Sequence, residues 1–234
     1  MYSEVFCKVY NEFGWNYYPE AFGEQLLQWI QKNSLSFRSA MDLGCGTGIL
    51  CDILSKNGID AWGSDLSESM IAVAKENFPR LHFEVADMTT YLPDRQFDLV
   101  TCTGDALNHI MALADVAKIF RNVYAYLTSG GYFLFDILNE QEVSPCEPFD
   151  CPFSDTIRAE FQILKKDNGV INLKTRVYEN EEFRFEENIY EILHDPKSIC
   201  SLLESAGFQV LQCADRLIPE AMGSTTWYII VRKP

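Results

Sequence analysis

Apolar positions recur at helical and strand spacing by turns through the first part of the chain. "PEAFGEQLLQWIQKN" carries Phe22, Leu26, Leu27 and Ile30 at helical spacing, with Pro19 suited to a first turn. "FRSAMDL" reads as a short buried strand, and "GILCDILSKNG" as a helix stopped by Gly58. "IDAWGSDL" is a second strand, and "SESMIAVAKENF" is a helix capped by Ser67. "LHFEVAD" and "QFDLVTCTG" follow as strands three and four. "ALADVAKIFRNVYAYL" is a helix stopped by "TSGG", and "YFLFDIL" is strand five. Strands alternating with helices in this way predict a parallel sheet covered on both faces.

The period then changes. Residues 143–155 hold three prolines and read as a loop. "TIRAEFQILKK" and "VINLKTRVYEN" alternate apolar and polar positions around "DNG", a hairpin signal, and "EFRFEENIYEIL" extends the pattern to a third strand. Residues 156–193 therefore read as an antiparallel platform inserted into the main fold. A helix returns at "DPKSICSLLESAGF", with Asp195 as cap and Pro196 in the first turn, and strands "FQVLQCA" and "TWYIIVRKP" follow. The expected organisation is a main domain over 1–142 and 194–234, with a subdomain over 143–193.

Charge narrows the partners. The 234 residues carry 34 acids and 19 bases, a net charge of −15. That disfavours nucleic acid, whose binding rests on Lys and Arg, and an anionic membrane surface. The N-terminus shows no signal-like apolar stretch, and no apolar run reaches spanning length. Eight scattered cysteines without a C-x-x-C pair read as reduced thiols of a cytoplasmic protein, and no metal site is expected.

The stretch "MDLGCGTG", residues 41–48, closes the first strand. Its glycines at 44, 46 and 48 let a ligand approach the backbone beside a helix start. The spacing is G-x-G-x-G, whereas dinucleotide folds use G-x-G-x-x-G, so a nicotinamide-dependent dehydrogenase is disfavoured. Asp42 beside the turn is awkward for a pyrophosphate and welcome for an ammonium or sulfonium. Asp65 ends strand two, where it can accept from ribose hydroxyls or cap the next helix. Asp87 ends strand three, where it can accept from an adenine amino group. Three acids on one sheet edge suit an adenosine with a cationic tail, which describes S-adenosylmethionine.

At these residues the chain resembles the class I S-adenosylmethionine-dependent methyltransferases, over roughly residues 38–138 and 195–234. "DLGCGTG", "SDLSESM" and "ADM" carry the likeness. It implies an α/β, Rossmann-like seven-stranded sheet, mostly parallel with the last strand antiparallel. It further implies that Asp42, Gly44, Cys45, Gly46 and Gly48 meet the methionyl part and Asp65 the ribose. Leu66 and Met70 would flank the adenine, although Met70 also suits a core, and Asp87 with Met88 would hold the adenine edge. In "TCTGDALNHI", the small-molecule branch places its chemistry: Thr103 near the cofactor, with Asp105, Asn108 and His109 as candidates. His109 is expected as a base, a positioning donor, or a helix-face histidine bonded to a carbonyl. Asp136 and Asn139 face the same edge, and His82 and His194 read as structural.

Aromatic positions 2, 6, 10 and 13 mark one helix stripe, either core or a lid with the Tyr10 and Tyr18 hydroxyls facing the site. "VYNEF" and "YYPEA" resemble the start of the amino-sugar N,N-dimethyltransferases. Arg158, Arg176, Arg184 and Tyr190 on the platform are candidates for an anionic acceptor. The expected activity is methyl transfer to a small molecule, most plausibly an amine, by a monomer or homodimer. A tRNA- or protein-directed methyltransferase and a cofactor-binding protein without turnover are the alternatives.

Overall fold

A computed structural model describes residues 3–12, 14–141, 143–219 and 226–234, and of Asp167 only the backbone. In chain order the helices are α1 (Glu4–Val9), α2 (Tyr17–Lys32), α3 (Ile49–Lys56), α4 (Glu68–Asn77), α5 (Leu113–Tyr126) and α6 (Pro196–Ser205). The main sheet takes β1 (Ser39–Leu43), β2 (Asp60–Asp65), β3 (His82–Val85), β4 (Phe97–Cys102) and β5 (Leu127–Leu138). The antiparallel sheet takes β6 (Phe149–Pro152), β7 (Ile157–Lys165), β8 (Val170–Glu179) and β9 (Glu182–Ile192). Strands β10 (Gln209–Ala214) and β11 (Thr226–Arg232) complete the main sheet. Its order is β10-β11-β5-β4-β1-β2-β3. Strand β11 runs antiparallel to both neighbours. No described helix is long and apolar enough to cross a membrane.

The sheet order reverses between β1 and β4, which places the carboxyl ends of β1, β2, β3 and β4 around one crevice. One face of the sheet packs Val100, Phe133 and Phe135 against Phe120 and Val123 of α5 and Leu203 of α6. The other packs Ala40, Leu99 and Leu134 against Leu26 of α2 and Leu50 and Leu54 of α3. Both faces are covered, as the alternation of elements predicts.

The short α1 joins the two sheets. Phe6 and Cys7 pack against Met70 of α4 and Ile189 of β9. Burial of a phenylalanine such as Phe6, 1% exposed, is worth about 1.5–3 kcal/mol. Ser3 caps α1 by accepting from the Phe6 amide. Its own amide and hydroxyl donate to Glu187 of β9 at 3.1 and 2.6 Å. The helix thus begins on the insertion and ends over the crevice.

Three expectations change. The aromatic stripe does not form one long helix: α1 ends at Val9 with Tyr10 as its C-cap, still stacked edge-on to Phe6 at helical spacing, and Trp15 returns onto Phe6. Tyr2 and Phe13 lie outside the described residues. Helix α5 stops before "TSGG" as expected, but strand five starts earlier than "YFLFDIL", because "TSGG" already belongs to β5. Gly130 and Gly131 exchange backbone hydrogen bonds with Lys233, and Lys233 Nζ donates to the carbonyls of Tyr124 and Leu127. Part of the proline-rich stretch is a strand, because β6 pairs with β7 at the sheet's edge, where Pro152 is tolerated.

Gly48 is the residue on which the first crossover turns. It precedes α3 with φ +83°, and a Cβ there would lie 2.6 Å from the Phe83 ring. A Gly48→Ala substitution meets both a left-handed penalty and a clash. We expect a loss of about 2–4 kcal/mol, read as a lower urea midpoint with an unchanged slope. A wild-type midpoint would mean that Phe83 yields freely.

Candidate functional site

The glycine turn is held from below by β2. The amides of Gly44 and Cys45 both donate to the Ser64 carbonyl, at 2.7 and 3.0 Å. Gly44 and Gly46 take φ of +70° and +51°. A Cβ on Gly44 would meet the Ala106 methyl at 2.8 Å, whereas one on Gly46 would meet nothing within 4 Å. The turn therefore exposes backbone to open space at Gly46, which is what a ligand lying against it requires.

Asp65 ties the turn to the next helix. Its two oxygens accept from the amides of Gly46 at 2.9 Å and Ser67 at 2.8 Å. Each carboxylate oxygen keeps a second acceptor position, so the side chain can serve hydroxyls as well as the backbone. Burial raises its pKa, and the same amide donors oppose that rise. Ser67, not Asp65, caps α4 by accepting from the Met70 amide.

Asp42 is buried deeper. Register sets it opposite Thr101 of β4, whose hydroxyl donates to it at 2.7 Å. Burial pushes its carboxyl from an ordinary 3.8 up to about 7, opposed by Thr101 and reinforced by Asp65 and Asp136. Asp87 is exposed, and one of its oxygens accepts from the Thr89 amide and hydroxyl.

The loop after β4 makes the opposite wall. Gly104 and Asp105 both take left-handed backbone, φ +73° and +61°. Asp136, wholly buried on β5, accepts from both of their amides at 3.0 Å and from the Tyr18 hydroxyl. One carboxylate thus fixes the loop and the start of α2. The short 3-10 turn Ala106–His109 is then fastened to the insertion. Asn108 donates to the Ile192 carbonyl at 2.7 Å and accepts from the Leu138 amide at 3.1 Å. His109 Nδ1 lies 3.3 Å from the Tyr190 carbonyl.

These walls enclose a cavity of about 370 Å³. It is lined by Tyr10, Tyr18, Asp42, Gly44, Cys45, Gly46, Asp65, Leu66, Met70, Asp87, Met88, Thr103 and His109 among the candidates. The insertion adds Asn188, Ile189 and Tyr190. Its charged lining is acidic throughout, with no lysine or arginine. Burial pushes the Tyr10 hydroxyl up to about 12, so it stays protonated, and burial pushes the His109 pKa down.

Several candidates lie off the lining. Gly48 faces Phe83 and serves the helix start. Asp105 turns toward Asp136 and Glu191, and burial with those two charges raises its pKa. Asn139 caps its own segment by accepting from the Gln141 amide. Arg158, Arg176 and Arg184 pair with acids of the platform itself. His82 stacks on Trp62, and His194 is buried with its ring near the Leu107 and Ile110 carbonyls. Glu187 and Glu191 were missed. Both sit on the inward stripe Phe185, Glu187, Ile189, Glu191, where acids at alternate positions of a buried strand face were the available signal.

Residues 40–131 match a family model described as a methyltransferase domain. Over that stretch the chain is similar to methyltransferase domains. It is 27% identical to a putative methyltransferase of Geobacillus sp. (strain WCH70), over 94% of this chain and 92% of that one. Its fold is shared with an S-adenosylmethionine-dependent methyltransferase from Clostridium acetobutylicum, TM-score 0.80 at 23% identity, covering 90% of this chain and 89% of that one. It is shared too with CalS10, an amino pentose methyltransferase from Micromonospora echinaspora, TM-score 0.79 at 16% identity, covering 100% of this chain and 98% of that one. The cavity of the methyltransferase domain fits the cofactor on its own terms, through open backbone at Gly46, acids for a cationic tail and apolar walls at Leu66, Ala86 and Met88.

Two outcomes follow for cofactor binding. Native Asp42 keeps its proton to about pH 7, whereas the unfolded side chain ionises near 3.8. Between those values the folded state binds the extra proton, so stability from this group is present at low pH and is lost as pH rises toward 7. A cationic ligand prefers the ionised form. S-adenosylmethionine affinity measured by calorimetry should therefore rise between about pH 6 and about pH 8, while the free protein's Tm falls. Asp42→Asn should flatten both trends; a pH-independent affinity in the wild type rejects the contact. Asp65→Ala should weaken binding roughly tenfold to several-hundredfold and lower the Tm, because two backbone amides lose their acceptor. Unchanged affinity would place the ribose elsewhere.

Proposed function

We propose that this methyltransferase acts on a small-molecule amine. The observation that carries the reading is the charge of the cavity: Asp42, Asp65 and Asp87 line it with His109, and no lysine or arginine does. A phosphate or carboxylate acceptor has no counter-charge there, whereas an amine gains from every charged neighbour. The amino pentose acceptor of CalS10 is of the same chemical kind.

In this reading the Gly44–Thr47 backbone and Asp42 hold the methionyl end of the cofactor. Asp65 takes the ribose, Leu66 and Met70 flank the adenine, and Asp87 with the Met88 backbone takes its edge. S-adenosylmethionine supplies an electrophilic methyl group on a sulfonium and leaves as the neutral thioether.

The protein's share is alignment, exclusion of water and handling of one proton. Met70, backed by Phe6 and Cys7, lines the cavity on the α1 side, and Thr47 donates to Asn11 at 2.8 Å. Tyr10 stays protonated and can donate to an acceptor oxygen or orient its nitrogen. An attacking amine must be neutral, so a group near it has to take a proton. His109, kept neutral by burial, is the candidate that lines the cavity.

The test is calorimetry with S-adenosylmethionine and S-adenosylhomocysteine. S-adenosylhomocysteine release is then measured with primary and secondary amines, amino-sugar nucleotides, phenols, tRNA and a protein extract. We expect micromolar binding of both cofactor forms and turnover confined to amines. Turnover on phenols or tRNA alone, or binding without turnover on any acceptor, would overturn the reading.

A further inference from the structure

The insertion brings one acid into the interior with no hydrogen bond of its own. Glu191 is 6% exposed on the inward face of β9. The other acid of that face, Glu187, is occupied by the amide and hydroxyl of Ser3. No side-chain hydrogen bond joins Glu191 to another described residue. Its Oε1 instead lies 3.8 Å from His109 Nε2. A carbonyl oxygen only accepts, so the contact of Nδ1 with the Tyr190 carbonyl puts the ring hydrogen on Nδ1 and the lone pair on Nε2. The histidine is thus fixed between the backbone of one strand residue and the carboxylate of the next. The Asn108 hydrogen bond to Ile192 secures the turn to the same strand.

We infer that Glu191 is a positioning residue for His109, holding its imidazolium when a nitrogen acceptor in the adjoining cavity gives up a proton. This rests on the amine reading above. In the step, the acceptor N–H bond breaks and leaves its electron pair on the acceptor nitrogen. A new N–H bond forms on His109 Nε2. The His109–Glu191 pair passes from one negative charge to none, and the acceptor nitrogen becomes neutral.

The surroundings set the proton affinity of the pair. Asp136 from β5 faces Glu191 and adds negative charge, and Asp105 from the loop after β4, its own pKa raised well above the ordinary value by burial, faces the same group. Tyr10 after α1 and Tyr18 of α2 remain neutral because burial raises both hydroxyls. Burial and Asp136 raise the Glu191 pKa, whereas burial lowers that of His109. The two groups therefore compete for one proton and titrate as a pair.

The experiment needs no acceptor. Imidazole resonances of the labelled full chain are titrated by NMR in the wild type, Glu191→Gln and Glu191→Asp, with His109 assigned by its loss in His109→Gln. We expect Glu191→Gln to lower the His109 midpoint by about one pH unit or more, with His82 and His194 unmoved. Glu191→Asp should lower it less. An unchanged His109 midpoint in a Gln variant with wild-type circular dichroism overturns the inference; if that variant does not fold, an unchanged midpoint in the Asp variant does so. With an amine substrate, the acid limb of the kcat profile should shift in Glu191→Gln while the KM for S-adenosylmethionine holds. Failure of the amine reading is read separately, in the acceptor panel.

Discussion

Carboxyl groups are gathered at one end of the sheet without a lysine or arginine in the cavity lining, and the rest of the site follows from that constraint. Asp42 and Asp136 are buried on β1 and β5, Asp65 ends β2, and Asp105 and Glu191 approach from the loop after β4 and from the insertion. Like charges in a low dielectric destabilise one another, so each must be met by donors, neutralised by a proton or paired with a cation. The protein does the first in part. Asp65 takes two amides, Asp136 takes two amides and the Tyr18 hydroxyl, and Asp42 takes Thr101. Raised pKa values on Asp42, Asp136 and Glu191 express the cost that remains. A cationic ligand relieves that cost, which couples the stability of the free protein to the chemistry of what it binds.

The same carboxylates are also the fasteners. Asp65 joins the glycine turn to α4, and Asp136 joins α2 to a loop whose backbone is left-handed at two consecutive residues. Glu187 joins α1 to β9. Each fastener links segments far apart in sequence, so the cavity has fixed walls although loops build most of it. The left-handed backbone at Asp105 is held by Asp136, which accepts from its amide and that of Gly104.

Much of this was legible in the chain. The strand-helix alternation led to the parallel sheet. Asp42, the glycine turn and Asp65 were placed by local pattern, and the structure sets them around one cavity. What escaped was decided by distant partners. "TSGG" does follow the end of α5, but backbone pairing with Lys233 also makes it the opening of a strand. Pro152 disguised an edge strand. Gly48 shares the spacing of Gly44 and Gly46, and only the packing of Phe83 separates its role from theirs. The N-terminal aromatic spacing holds for Phe6 and Tyr10, but the helix ends there and the chain turns to bring Trp15 back onto Phe6. Glu187 and Glu191 looked like the solvated acids of an acidic chain. Their alternation with Phe185 and Ile189 was the counter-signal, and it becomes readable only once the strand face is known to be buried.

The acceptor reading meets a physical difficulty that the acids resolve. A sulfonium and a protonated amine in adjacent positions repel, and the protonated amine has no lone pair with which to attack. An acidic cavity alone makes matters worse, because it stabilises the ammonium form along with the sulfonium. Productive binding therefore needs the acids divided between two roles. Asp42 and Asp65, beside the glycine turn, can remain as counter-charges to the cofactor end. The group beyond the loop after β4, with Asp105, Asp136 and Glu191 crowded together, has raised proton affinity and meets the cavity through His109. An amine entering between them meets a counter-charge on one side and a proton acceptor on the other. The insertion supplies that second side, so its inward acids bear on which form of the acceptor nitrogen is bound.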